Sequence, residues 1–192
     1  MSSPVLTMAN QLTLLRMGLA PLLVVLVLQG RMGWALGVFV VAAATDALDG
    51  LIARLGGQQT TLGAMLDPVA DKVLMTSSFI ALTWGGGVAL PIPVWLTVVI
   101  LSRDAIIIVS VAIVNMTLGR RIFYPSLLGK LATVAQLLTV GFVLLANATG
   151  SGEALLRPLF VATLALTVAS ALHYVYLAST RGPGRVPEEP SA

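Results

Sequence analysis

Residues 34–55 read WALGVFVVAAATDALDGLIARL. A helix needs about 20 predominantly apolar residues to cross the hydrocarbon core of a bilayer, and this run is long enough. Its first half is hydrocarbon-like, yet its second half carries Asp46, Asp49 and Arg54. A carboxylate at bilayer depth costs roughly 2.5–3.5 kcal/mol on insertion scales. The next apolar run adds Asp67 and Asp71, so four aspartates fall within 26 residues. Something must offset that charge. A bound divalent cation does so most directly, and one held by Asp oxygens in a membrane wall implies a phosphate-bearing substrate.

The rest of the composition agrees. The chain has 192 residues, of which 57% are hydrophobic and 10% charged, and its mean hydropathy is +0.97. Soluble domains carry about 25% charged residues. One domain of an integral membrane protein is expected. With no cysteine, disulfides, thiolate nucleophiles and zinc–thiolate sites are excluded. The single histidine, His173, excludes a multi-histidine metal centre. A net charge of +3 gives no reason to expect a nucleic-acid partner, but suits anionic lipid if it gathers on one side. The N-terminus lacks the basic, apolar and small-residue sequence of a cleaved signal peptide, so none is expected.

Six apolar runs are long enough to span: Leu12 to Leu28, Trp34 to Leu55, Leu62 to Trp84, Val94 to Leu118, Leu128 to Asn147 and Ala154 to Ser179. Turn-like breaks separate them, among them Gln29-Gly30, Gly56-Gly57 and Gly85-Gly86-Gly87 through Pro91 and Pro93. None alternates strictly, and strands of a membrane barrel would be half as long. The predicted fold is all-α, a polytopic membrane protein of six transmembrane helices. Pro21 reads as a helix kink and Pro125 as a loop turn. No internal repeat is evident.

Lys and Arg near the helix ends set the orientation. With the N-terminus cytoplasmic, one side receives Arg54, Arg120, Arg121, Lys130, Arg181 and Arg185, and the other only Arg31 and Arg157. Both termini are therefore expected in the cytoplasm, with the acidic segment at the cytoplasmic ends of the second and third helices. Residues 1–180 form one domain in this reading. The Gly/Pro/Glu-rich tail, 181–192, is expected to be disordered. Met1 to Asn10 is mildly apolar and compatible with the membrane surface.

Positions three and four apart share a helix face. Asp46, Asp49, Gly50, Ala53 and Arg54 form one stripe, and Gly63, Asp67 and Asp71 another. The two helices are joined by a short turn, so the carboxylates can converge. Gly50, Ala53 and Gly63 allow close approach of backbone or ligand. Oxygen-only ligands point to Mg²⁺, Mn²⁺ or Ca²⁺. Two such ions can clamp a pyrophosphate. Arg54 offers a guanidinium fork to phosphate, and Asp71 is the candidate general base for an acceptor hydroxyl. Two other readings stand beside this one. The aspartates could pair with Lys72, Arg103 and Arg54 merely to hold helices together, or relay protons in a proton-coupled transporter.

The spacing D-x-x-D-G-x-x-A-R, eight residues, then G-x-x-x-D-x-x-x-D, resembles the signature of the CDP-alcohol phosphatidyltransferase family. Every fixed position is present, from Asp46 to Asp71. Asn10-Gln-Leu-Thr-Leu-Leu-Arg16 resembles the family's N-x-L-T-x-x-R element, and Leu66-Asp-Pro-Val-Ala-Asp-Lys72 resembles its phosphatidylglycerol-pathway branch. The resemblance implies a six-helix bundle, usually a homodimer, with its active site open to the cytoplasm and to lipid. In a bacterium this would be the cytoplasmic membrane. It implies direct transfer of a phosphatidyl group from CDP-diacylglycerol to an acceptor hydroxyl, with CMP leaving and two Mg²⁺ or Mn²⁺ ions assisting. Asp46, Asp49, Asp67 and Asp71 match metal ligands, Asp71 being also the base. Asp49, Gly50, Ala53, Arg54 and Gly63 match contacts to the cytidine diphosphate. Asn10 and Thr13, one turn apart beside Arg16, are candidates for the donor headgroup, the alternative being capping and interfacial anchoring.

The acceptor is less sharply written. Arg103, Lys130 and Arg16 are its candidate contacts. Enzymes that use glycerol 3-phosphate, making phosphatidylglycerophosphate, typically carry an Arg-Glu pair and a G-K-x-K-T element. Here the pair is Arg103-Asp104, and Gly129-Lys130-Leu-Ala-Thr133 lacks the second lysine. Leu90-Pro-Ile-Pro-Val and Ser102-Arg103-Asp104 look more like the eukaryotic-type cardiolipin-forming branch, whose acceptor is phosphatidylglycerol. Fewer cations suit a phosphodiester better than a phosphomonoester dianion. Phosphatidylglycerol is therefore the expected acceptor and glycerol 3-phosphate the alternative. Arg103 could also pair with a motif aspartate, and Lys130 could simply anchor a helix end. Tyr174 and Tyr176 read as interfacial aromatics, and His173 as a possible proton shuttle. The methionines read as lipid-facing or core filler. A lipid-binding protein that keeps the motif without turnover is the remaining alternative.

Overall fold

The computed structural model describes the backbone of residues 8–56, 61–118, 121–122, 127–180 and 184–185. Side chains are described over 14–46, 70–110, 113, 116 and 127–176. Six helices follow one another: α1 (Met8–Leu28), α2 (Met32–Gly56), α3 (Thr61–Trp84), α4 (Val94–Leu118), α5 (Leu127–Thr149) and α6 (Glu153–Thr180). They coincide with the six apolar runs to within a few residues at each end. Pro21 lies inside α1, and the helix continues through it; Pro125 lies outside the described residues. The only other regular structure among the described residues is a two-residue antiparallel pairing. It joins β1 (Arg121–Ile122) to β2 (Gly184–Arg185), with Arg121 opposite Arg185. The tail composition predicts no regular structure there; a pairing this short needs only backbone partners, and Gly184 brings no side chain to obstruct it.

Contacts divide the chain into two units, Met1–Pro93 with Val140–Leu156, and Val94–Thr139 with Arg157–Ala192. In the first, α1 packs against both α2 and α3. The α1–α2 turn is closed by Gly30, whose φ of 71° is in the left-handed region. Gly30 N–H donates to Val27 C=O at 2.9 Å and Arg31 N–H to Leu26 C=O at 2.9 Å, the two bonds that end a helix in a Schellman motif. The segment after α3 lies directly on this turn. A Cβ on Gly87 would stand 2.8 Å from both Cα and N of Gly30. Farther along, Asn147 of α5 clamps Leu90: its Oδ1 accepts from Leu90 N–H at 2.9 Å, and its Nδ2 donates to Leu90 C=O at 3.0 Å.

In the second unit, α5 and α6 are stitched by buried polar side chains. Thr139 and Thr163 share a hydroxyl hydrogen bond of 2.7 Å, and Gln136 Nε2 donates to Thr167 Oγ1 at 3.4 Å. The pairs advance in opposite directions along the two helices, so α5 and α6 run antiparallel. Ser170 continues the α6 series and accepts from Arg103 Nη2 of α4 at 2.8 Å. Buried small polar residues of this kind hold helices together where apolar burial offers little driving force.

The distribution of polarity is inverted relative to a soluble domain. Each helix exposes large apolar side chains, such as Leu22, Val41, Ile80, Ile106, Leu138 and Val161, while Arg16, Thr139, Thr163 and Thr167 are fully buried. Two helical stretches among the described residues, Leu127–Thr149 and Glu153–Tyr176, are long and apolar enough to cross a membrane. Leu14–Leu28 and Met32–Asp46 are apolar over shorter lengths.

Candidate active site

Three helices of the first unit deliver one cation and two anions to a common point. On α1, Arg16, Ala20, Leu23 and Val27 recur at spacings of four, three and four, and none is more than 1% exposed. That is the inner stripe of a packed helix. On α2, Met32, Ala35, Phe39 and Ala42 are buried with the same period, and the next position of the series is Asp46. On α3, Leu74 and Ser78 are buried, and Asp71 stands one turn before Leu74. The charged residues are thus continuations of apolar stripes, and helix packing itself brings them together.

The contact is direct. Arg16 Nη1 lies 2.7 Å from Asp46 Oδ1 and donates a hydrogen bond to Asp71 Oδ1. Both carboxylate oxygens are within reach of one nitrogen, so they are close neighbours of each other. The Arg16 side chain is 1% exposed, whereas those of Asp46 and Asp71 are 49% and 47% exposed. The aspartates, expected to be buried, are therefore half-open, standing where the described apolar stripe of α2 ends. The arginine lies behind them.

Among the described residues the cation beside Asp46 and Asp71 is Arg16; the side chain of Arg54, another partner in the helix-holding alternative, lies outside them. Arg103 Nη1 donates to its neighbour Asp104 at 2.8 Å and Nη2 to Ser170, and its Nε is buried with no hydrogen-bond partner among the described residues. Lys130 is exposed near the start of α5. His173 Nδ1 is buried without a hydrogen-bond partner among the described residues, and Tyr176 is exposed. Asp49, Gly50, Ala53 and Arg54 lie on the helical backbone of α2, Gly63 and Asp67 on that of α3, and Asn10 and Thr13 on that of α1. The side chains of these eight lie outside the described residues. The Gly57-to-Thr60 turn, Arg120, Tyr124 and Ser126 lie wholly outside them.

Sequence reasoning named Arg16 as a candidate acceptor contact and did not foresee its place beside the two carboxylates. The signal was present: Arg16 is in phase with Ala20, Leu23 and Val27. The α6 series Thr163, Thr167 and Ser170 was also missed, and its spacing of four and three was equally readable.

Among the described residues no group of three or more His, Asp or Glu converges as a metal site. Asp46 and Asp71 are two described carboxylates that stand close together. They are hard oxygen donors on separate helices, drawn together around a positive charge and open on one side. That donor set fits a hard divalent cation.

A family model described as CDP-alcohol phosphatidyltransferase matches residues 6–175. A rat protein named cardiolipin synthase (CMP-forming) is 37% identical over 88% of this chain and 61% of its own length. A Streptomyces coelicolor protein of the same name is 36% identical over 76% of this chain and 68% of its own. A Mycobacterium tuberculosis protein named probable phosphatidylglycerophosphate synthase is 34% identical over 88% of this chain and 79% of its own. The match thus spans about three fifths of the rat relative's length.

Proposed function

The chain belongs to the CDP-alcohol phosphatidyltransferase family, and from that premise we propose that it is an integral-membrane phosphatidyltransferase that makes cardiolipin. CDP-diacylglycerol is the donor, phosphatidylglycerol the acceptor, and CMP the leaving group. The observation that carries the reading is the convergence of Asp46 and Asp71 from two helices at a half-open point, within the motif Asp46 to Asp71.

In the reaction, an acceptor hydroxyl oxygen attacks the phosphatidyl phosphorus. A new P–O bond forms, the P–O bond to CMP breaks, and the hydroxyl proton passes to an Asp71 carboxylate oxygen. Asp46, Asp49, Asp67 and Asp71 would hold two divalent ions, Mg²⁺ or Mn²⁺. Such ions, when bound, neutralise charge on the transferring phosphoryl group and on the leaving oxygen. Arg54, beside Gly50, Ala53 and Gly63, binds the diphosphate, and Asn10 and Thr13 approach the donor headgroup. Arg103 and Lys130 bind the acceptor.

The membrane reading extends to six spans with both termini cytoplasmic. Trp34 stands near the start of α2 and Trp84 ends α3, and both are exposed. Exposed tryptophans at span ends suit a membrane–water interface, where tryptophan prefers to sit. The charged ends and the acidic site then face the cytoplasm. Residues 1–180 make up the domain, and a homodimer is the proposed assembly.

A second reading keeps glycerol 3-phosphate as acceptor, favoured by the similarity to the Mycobacterium tuberculosis protein. Purified protein given labelled CDP-diacylglycerol, Mg²⁺ or Mn²⁺, and either acceptor distinguishes the two. Cardiolipin with phosphatidylglycerol is the expected product. Consumption of glycerol 3-phosphate alone transfers the assignment to the second reading. Binding of CDP-diacylglycerol without CMP release from any acceptor would indicate a lipid-binding protein instead, and proton-coupled solute uptake into vesicles a transporter.

A further inference from the structure

The pairing of β1 with β2 joins the segments that follow α4 and α6. β1 starts three residues beyond Leu118, the end of α4, and β2 four residues beyond Thr180, the end of α6. The register sets Arg121 directly opposite Arg185, with Ile122 opposite Gly184. Residues opposed in an antiparallel pair have Cβ atoms about 4.5–5.5 Å apart. Arg120 adjoins β1 in the sequence, and Arg181 opens the segment that contains β2. Four of the chain's 11 Lys and Arg residues therefore belong to the two segments that the pairing joins. The helices of the same unit fix the level of this junction. Arg103 of α4 donates to Ser170 of α6 at 2.8 Å. From these residues α4 runs on for 15 residues and α6 for 10, about 22 and 15 Å at the helical rise, and beyond their ends the strands meet. The two helices thus run in the same direction, and α6 is apolar enough to cross a membrane over Glu153–Tyr176. The junction stands where a span leaves the bilayer, among phospholipid headgroups.

We infer that the β1–β2 junction binds the phosphate of an anionic phospholipid across Arg121 and Arg185, and that the bound lipid fastens the C-terminal tail to the α4–α5 connection. The inference rests on the membrane reading of α4 and α6, not on the assigned reaction. Arg121 and Arg185 belong to the second unit, whereas Asp46 and Asp71 belong to the first. Three physical terms favour a lipid phosphate. Guanidinium groups take phosphate oxygens through forked N–H donors, more effectively than ammonium groups do. Basic residues just outside a span are drawn to an anionic leaflet. Like charges set opposite each other weaken strand pairing, and a two-stranded ribbon is marginal even at greater length than two residues a side. A phosphate that engages both arginines turns that repulsion into attraction, so lipid binding and tail attachment support each other. Glu188 and Glu189, three and four residues beyond Arg185, are the chain's own rival anions for this place, and the test separates them from lipid.

The test uses the full-length protein in lipid nanodiscs, read by amide hydrogen exchange of the peptides carrying β1 and β2. The discs contain phosphatidylcholine alone or mixed with phosphatidylserine, an anionic phospholipid that is neither donor nor acceptor in the proposed reaction. Exchange at β1 and β2 should slow by about fivefold or more in the anionic discs, the effect of one arginine beside an anionic leaflet. Arg121→Gln/Arg185→Gln should lose that lipid response, while the peptides of α5 exchange as in wild type. Arg121→Lys/Arg185→Lys, which keeps charge without the fork, should retain part of it. Glu188→Gln/Glu189→Gln should keep the full response. Equal exchange in the two kinds of disc overturns the inference, as does a lipid response that survives in the double glutamine variant. Loss of the response in Glu188→Gln/Glu189→Gln assigns the pairing to the chain's own carboxylates and overturns it too. Equal slowing by inorganic phosphate in phosphatidylcholine discs makes the ligand a soluble anion rather than a lipid. The readout involves no turnover, so failure of the assigned reaction and failure of this site are separate results.

Discussion

Gly87 lies against Gly30 so closely that a Cβ on Gly87 would meet both Cα and N of Gly30 at 2.8 Å. The obstacle is backbone, which cannot swing aside as a side chain could. Gly87→Ala should therefore cost about 1–3 kcal/mol, the usual range for overpacking, read as a lower unfolding temperature in detergent. Gly86→Ala, with nothing within 4 Å of its Cβ position, is the control and should be close to neutral.

Asn147 serves Leu90 through both ends of its amide, and Nδ2 also donates to Val143 C=O at 2.8 Å. Asn147→Asp keeps the acceptor and removes the donor, setting a carboxylate oxygen against two carbonyls. A loss of about 1–3 kcal/mol is expected from the unmet polar groups. Asn147→Gln, which retains the amide on a longer stem, should not restore the clamp. Thermal unfolding of the three proteins side by side measures it.

The hydroxyl pair Thr139–Thr163 between α5 and α6 is shape-compatible with valine. Hydrogen bonds between membrane helices average about 0.6 kcal/mol in double-mutant cycles. A cycle of Thr139→Val, Thr163→Val and both together should give a coupling of that order. A coupling several times larger would mean the pair anchors a wider network than Gln136, Thr167 and Ser170 indicate.

Asp71→Asn removes the proposed proton acceptor while preserving shape. CMP release should fall by about a hundredfold or more, the low end of what a positioned base contributes, with CDP-diacylglycerol binding largely retained. Turnover and a binding isotherm on the same preparation check both halves. Treatment with a chelator should likewise stop CMP release, and Mg²⁺ or Mn²⁺ should restore it.

The six helices were legible because six apolar runs of about 20 residues, separated by Gly- and Pro-containing breaks, are too long for strands and suit helices. The acidic stripes were legible because D-x-x-D and D-x-x-x-D put carboxylates on one helix face. What the sequence did not yield was the partner. Pairing across helices depends on which stripe faces which, and α1 sits between the candidates in space while lying far from Asp71 in the chain. Arg103 shows the same blindness. Its neighbour Asp104 and the distant Ser170 could be matched only after α4 and α6 were placed.

Asp46 occupies the beat after Met32, Ala35, Phe39 and Ala42, so the chemistry keeps time with the hydrophobic zipper. One alanine inserted between Ala42 and Asp46 would turn the carboxylate by about 100°, away from Arg16, without deleting any functional group. Evolution of this acidic corner is thereby tied to residue count upstream of it. Side chains in the zipper can be exchanged for others of like volume, but the number of residues separating zipper from carboxylate cannot change.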